Sequence, residues 1–170
     1  MSKKKILITI LISTILSCKN SSGVSSVLSI AASTISLISE FTDNSNNFNS
    51  RINQIVSLTN KSISSDEDIS DIAGFWENQW LYIHEEFDNL NTQLSKIVVK
   101  TNQYFRELEI INNKIKNPEI RSSQIAKCEN VYKIWKNELS DTKDSLERTK
   151  LMLIEGDDFC LLYTSDAADD

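Results

Sequence analysis

Residues 69–115 read ISDIAGFWENQWLYIHEEFDNLNTQLSKIVVKTNQYFRELEIINNKI. Within them Ile69, Ala73, Trp76, Trp80, Ile83, Phe87, Leu90, Leu94, Ile97, Thr101, Tyr104, Leu108, Ile111 and Ile115 keep an unbroken four-three alternation. Thirteen of these fourteen positions are apolar, Thr101 being the exception, in a chain that is 40% apolar. Chance yields such a run on the order of once in ten thousand starting points. A 3.5-residue period held this long predicts one continuous helix, roughly 70 Å from end to end. Its apolar stripe must face partner helices in a left-handed coiled-coil arrangement. Ser64, Ser65, Asp66, Glu67 and Asp68 suit its capping and the positive end of its dipole. Pro118 ends it, because proline disfavours helical geometry in the residue before it.

The same spacing recurs on both sides. After Pro118 it runs through Ile125, Cys128, Tyr132, Trp135, Leu139, Thr142, Leu146, Thr149 and Leu153. Pro118 fits a first helical turn, where a missing N–H costs nothing, and Gly156 is expected to stop the helix. Upstream the stripe is Val27, Ala31, Thr34, Ile38, Phe41, Ser45, Phe48, Ile52, Ile55 and Thr59. The poor helix formers of residues 42–47, Thr-Asp-Asn-Ser-Asn-Asn, predict a break there. Three stripes joined by short links must bury against one another with neighbours antiparallel. The expected fold is therefore all-α: an elongated antiparallel three-helix bundle with coiled-coil-like heptad packing, its helices near 27–60, 69–116 and 119–155.

Composition agrees. The chain of 170 residues suffices for one domain with a real core. Three Gly and one Pro punctuate too little for a sandwich or barrel. A net charge of −6 argues against a dedicated nucleic-acid binder. A single His removes most His-based catalysis and every multi-His metal site.

The two ends read differently from the middle. Lys3, Lys4 and Lys5 precede an apolar stretch from Ile6 to Leu16, closed by Ser17 and Cys18. That stretch is too short to span a bilayer of about 30 Å and has the layout of a signal peptide over residues 1–17. Ile15-Leu16-Ser17-Cys18 resembles a bacterial lipobox, though Leu16 departs from its strictest form. The resemblance implies that the chain is cut before Cys18 and that Cys18 receives diacylglycerol and an N-acyl chain. Three acyl chains exceed the two signals that stable anchoring needs. An uncleaved anchor helix, or a secretory signal with an incidental Cys, is the competing reading. Residues 18–26 then form the lipidated Cys and a flexible polar tether, and 27–159 the bundle. At the other end, residues 160–170, CLLYTSDAADD, share neither the composition nor the period of what precedes them. They resemble a translated sequencing adapter, which implies a non-native tail and a bundle truncated at its C-terminus, and leaves a fourth helix beyond it open. Cys128 is then the one remaining thiol, so no intramolecular disulfide framework is expected.

Tests for chemistry return little. No His pair at metal spacing, glycine-rich phosphate loop or serine elbow is present. Asp66, Glu67, Asp68 and Asp71 lack the alternation and turn glycine of a calcium loop and read as a capping cluster. Glu85 with Glu86 and Glu107 with Glu109 read as solvated faces. His84 follows the stripe residue Ile83, which leaves a pH-sensitive role or a half-exposed bystander. Cys128, Trp76, Trp80 and Trp135 lie on the stripes as core residues. No catalytic residue, metal, cofactor or small-molecule substrate is expected. Off the stripe, Val98 and Phe105 suit a helix touching two neighbours. Phe75 and Tyr82, seven apart with Leu81 beside them, either pack on a missing element or form an exposed patch that meets a partner.

The lysine start, the loose lipobox ending Leu16-Ser17-Cys18-Lys19-Asn20, the Asn/Ile/Lys/Ser-rich composition and the helical remainder together resemble plasmid-encoded outer-surface lipoproteins of Borrelia spirochaetes. The specific match covers about the first twenty residues. The resemblance implies a lipid anchor in the outer membrane, display at the cell surface and capture of a host protein. The expectation is thus a non-enzymatic adhesin or immune-evasion lipoprotein. The alternative is a periplasm-facing structural or assembly lipoprotein that pairs with another helical protein or itself.

Overall fold

The computed structural model describes residues 22–64 and 69–166, with side chains described over 25–61, 76 and 78–158. The described residues form three helices and no strand: α1 Ser22–Ser64, α2 Ile69–Asn113 and α3 Pro118–Asp166. The fold is an all-α three-helix bundle, the class that the stripes require.

The α2 stripe is buried as its period demands. Ile83, Phe87, Leu90, Leu94, Ile97, Thr101, Tyr104 and Leu108 are all out of water. Each large apolar side chain so buried contributes about 1.5–3 kcal/mol. Stripe positions of α1 and α3 are likewise buried or half-buried throughout the described range. One core residue, Ile30, lies beside its stripe and not on it.

The chain groups into two compact units, each built from sections of all three helices. The first takes Met1–Glu40 and Leu94–Lys143. Its core sets Val27, Ile30 and Ala31 of α1 against Tyr104 and Leu108 of α2, with Phe105, Ile111 and Cys128 around them. Phe105 stands edge-on to both Tyr104 and Tyr132, with ring centroids 5.3 and 4.9 Å away. The Asn112 amide donates to Cys128 Sγ at 3.2 Å. Partner numbers rise along α3 as they fall along α2, so the two are antiparallel.

The second unit takes Phe41–Gln93 and Asp144–Asp170. Phe48 and Ile55 of α1, Ile83, Phe87 and Leu90 of α2, and Leu153 of α3 form its core. Phe41, Ile52, Trp76, Trp80 and Leu146 pack around it. Phe48 meets Phe87 at 6.3 Å between centroids, and three residues on Arg51 meets Glu86, so α1 and α2 also run antiparallel.

Three expectations about the helices are corrected. No break occurs at 42–47, since α1 is continuous there. Each Asn or Asp costs only about 0.6 kcal/mol in a helix, and Phe41 and Phe48, packed into the core on either side, outweigh that. Ser45 also satisfies its hydroxyl inside the helix, donating to the Phe41 carbonyl at 2.8 Å. Ser22–Ser26 belong to α1, not to a flexible tether. Gly156 does not stop α3, which runs on to Asp166. The α2–α3 link begins at Lys114, whose N–H donates to the Ile111 carbonyl at 3.0 Å. There Asn117 is the N-cap: its Oδ1 accepts from the N–H groups of Glu119 and Ile120, both at 3.0 Å. Pro118 takes the first helical position, as its fixed φ and missing N–H favour.

Candidate functional site

Of the residues singled out in the sequence, Cys18 and the acidic run 66–68 lie outside the described residues, as do the side chains of Asp71 and Phe75. Leu81 and Tyr82 are described and exposed, at 64% and 55%. Neighbours on a helix are turned by about 100°, so the two side chains look out in different directions. Tyr82 faces α1: the Arg51 guanidinium lies over its ring, 5.9 Å from the centroid. Arg51 is in turn held by Glu86, whose Oε1 and Oε2 each accept from Nε at 3.1 Å. This ion pair is about a third exposed on both sides, so its worth is under about 1 kcal/mol. It fixes the direction of Arg51 more than it stabilises the fold. Glu86 therefore positions a cation over an aromatic ring, while Glu85 and Glu109 are exposed.

A second constellation joins α2 and α3 in the same unit. Trp80 Nε1–H donates to Asp157 Oδ1 at 2.6 Å, and His84 Nε2 lies 2.8 Å from the same oxygen. A carboxylate only accepts, so His84 is the donor. The Trp80 ring is edge-on to His84 and tilted against Trp76, with centroids 5.7 Å apart in both pairs. Gly156 is what lets the indole approach. A Cβ there would overlap Trp80 Cζ2 and Cη2. His84 is half-exposed as expected, but it has a partner. Trp80 is half-buried with its N–H satisfied, whereas Trp135 is core. The pairing was not legible in the sequence, because the two sides are separated by 73 and 77 residues. The signal available was the four-residue step from Trp80 to His84, which puts both on one helix face.

Cys128 is a half-buried thiol that accepts from the Asn112 amide, as its place on the stripe allows. Val98 and Phe105 are half-buried flanking residues. Among the described residues no group of three or more His, Cys, Asp or Glu could hold a metal ion. The segment Ser25–Lys61 is long and apolar enough by composition to cross a membrane. Its Val27, Ile30, Ala31, Phe48 and Ile55 are core residues of the bundle, although only 17% of its most apolar window is buried.

Further apolar side chains stand in water. The second unit exposes Val56, Leu58, Leu151, Met152 and Ile154 besides Leu81 and Tyr82, and the first exposes Leu28, Val99, Ile110 and Ile120. Residues 151–154, Leu-Met-Leu-Ile, carried that signal: a helix cannot turn four successive residues inward, and Leu153 alone is buried. Charge is divided as well. Over residues 41–93 and 144–170 there are four Lys or Arg against seventeen Asp or Glu. Over 22–40 and 94–143 there are ten against seven.

No protein-family model, curated protein or solved structure matches this chain.

Proposed function

We propose that this chain is a lipid-anchored, non-enzymatic bacterial surface protein that holds a host protein against its helix faces. The anchor reading is supported by the Lys3–Lys5 start, the apolar run and Cys18. The binding reading is carried by one observation: Leu81 and Tyr82 stand 64% and 55% exposed on α2, off the stripe that it buries. Large apolar side chains held in water by a packed helix gain free energy when a partner covers them. Tyr82 adds an amphipathic ring, and Arg51 over it supplies a fixed cation at its edge. Both are residue types enriched at the centre of protein contacts.

The test compares intact bacteria displaying the full chain with bacteria displaying the Leu81→Ala/Tyr82→Ala variant, each incubated with host plasma. Retained plasma proteins are eluted and quantified. The reading expects at least a tenfold fall in a specifically retained protein, with the circular dichroism of the purified variant unchanged. Equal retention by both would remove the two residues from the contact and contradict the reading.

A further inference from the structure

We propose that the end of the first unit where α1 begins and α2 turns into α3 is a cationic face that binds anionic lipid headgroups. The placement of that face beside a bilayer rests on the lipid-anchor reading above. Val27 and Ala31, in the first turns of α1, pack with Leu108 and Ile111 in the last turns of α2. The start of α1 and the α2–α3 link therefore share one end of the unit. Cys18 precedes Ser22, the first residue of α1, by four residues. Four residues span at most about 14 Å, so an acylated Cys18 holds Ser22, the start of α1, within that distance of the headgroups.

The side chains at this end suit that neighbour. Lys114 and Lys116 in the link are exposed, Arg121 in the first turn of α3 is half-exposed, and Lys127 in its third turn is exposed. Across residues 110–128 these four cations face one anion, Glu119, in the first turn of α3. Glu109 and Glu129 flank the stretch on either side. Residues 22–39 of α1 carry no charge at all, so this helix can approach a bilayer without desolvating an ion. Ile120 is 53% exposed among the lysines, an apolar side chain with no inward role and the right surroundings to enter a headgroup layer. Each Lys or Arg near an anionic leaflet contributes about 1 kcal/mol, enough for four to orient an anchored protein. The second unit, with fourteen acids against four bases before residue 160, is repelled by the same surface. Attraction of one unit and repulsion of the other would set which part of the molecule meets the membrane.

The experiment uses the full lipidated chain reconstituted on vesicles of phosphatidylcholine alone or with 30% phosphatidylglycerol. Flotation measures attachment, and hydrogen–deuterium exchange measures protection of residues 110–121. The proposal expects flotation with both vesicle types and exchange at least threefold slower on the anionic ones. That protection should vanish at high salt and in Lys114→Glu/Lys116→Glu/Lys127→Glu, whose helical signal stays intact, while peptides of the second unit exchange alike on both. Flotation with both types and identical exchange of 110–121 would overturn the proposal and leave the anchor standing. Flotation with anionic vesicles alone would overturn the anchor and support the cationic face; flotation with neither would overturn both.

Discussion

At Gly156 a missing side chain lets the indole of Trp80 lie against the backbone of α3, close enough for its N–H to reach Asp157. Replacing Gly156 by Ala sets two effects against each other. Alanine is better in a helix by about 1 kcal/mol. Its Cβ, however, overlaps the Trp80 ring, and overpacking costs about 1–3 kcal/mol. The ring has little freedom to retreat, since Asp157 holds one edge and Trp76 lies against it. Denaturant unfolding should therefore show Gly156→Ala losing about 1 kcal/mol in the native chain. In a Trp80→Leu background the same change should gain stability. A gain in the native background would show that the contact does not govern this position. Thr101 is the opposite case: its side chain fills a seam position, and its Oγ1 is buried without a hydrogen-bond partner. A hydroxyl in that state opposes folding.

For a whole helix, the question is which face turns inward. Ile97 is buried at 2% and Val99, two residues on, is exposed at 65%. Ile97→Ala should cost about 2–5 kcal/mol, and Val99→Ala should stay within about 0.5 kcal/mol of the parent. Equilibrium unfolding of the two variants distinguishes the observed register from a rotated one, in which the costs would exchange. The register of α2 was fully legible in the sequence because seam burial repeats at short range: each residue is placed by those three and four positions away. The fate of residues 42–47 was not, because local propensity there disagrees with packing, and propensity is the weaker force. The end of α3 was misread for a related reason. Glycine signals a stop only when no neighbour needs its empty space, and Trp80 is 76 residues distant in the chain. Asn117 shows the same limit at a single site. Pro118 marks the residue before it as the end of one helix, yet the Oδ1 of that residue begins the next.

Across the whole molecule, sequence and structure divide the functional reading between them. Lys3–Lys5 and Cys18 speak through local order, a charge, an apolar run and a thiol in succession, so the proposed anchor was readable without any fold. The clasp of Trp80 and His84 on Asp157 joins distant stretches and became visible only when α2 and α3 were packed. The exposed pair Leu81 and Tyr82 stands between these cases: the heptad showed that neither belonged to the seam, and the structure showed how far each stands in water. The division of charge, with seventeen acids in one unit, likewise needed the tertiary grouping before it could be counted.

Display at the cell surface is the property on which the proposed function depends, and treating intact bacteria with a non-penetrating protease measures it. Rapid loss of the full-length chain, while a periplasmic marker survives, is the predicted result. Complete protection of the chain, with degradation only after the outer membrane is broken, would contradict it and leave a periplasm-facing assembly protein in its place.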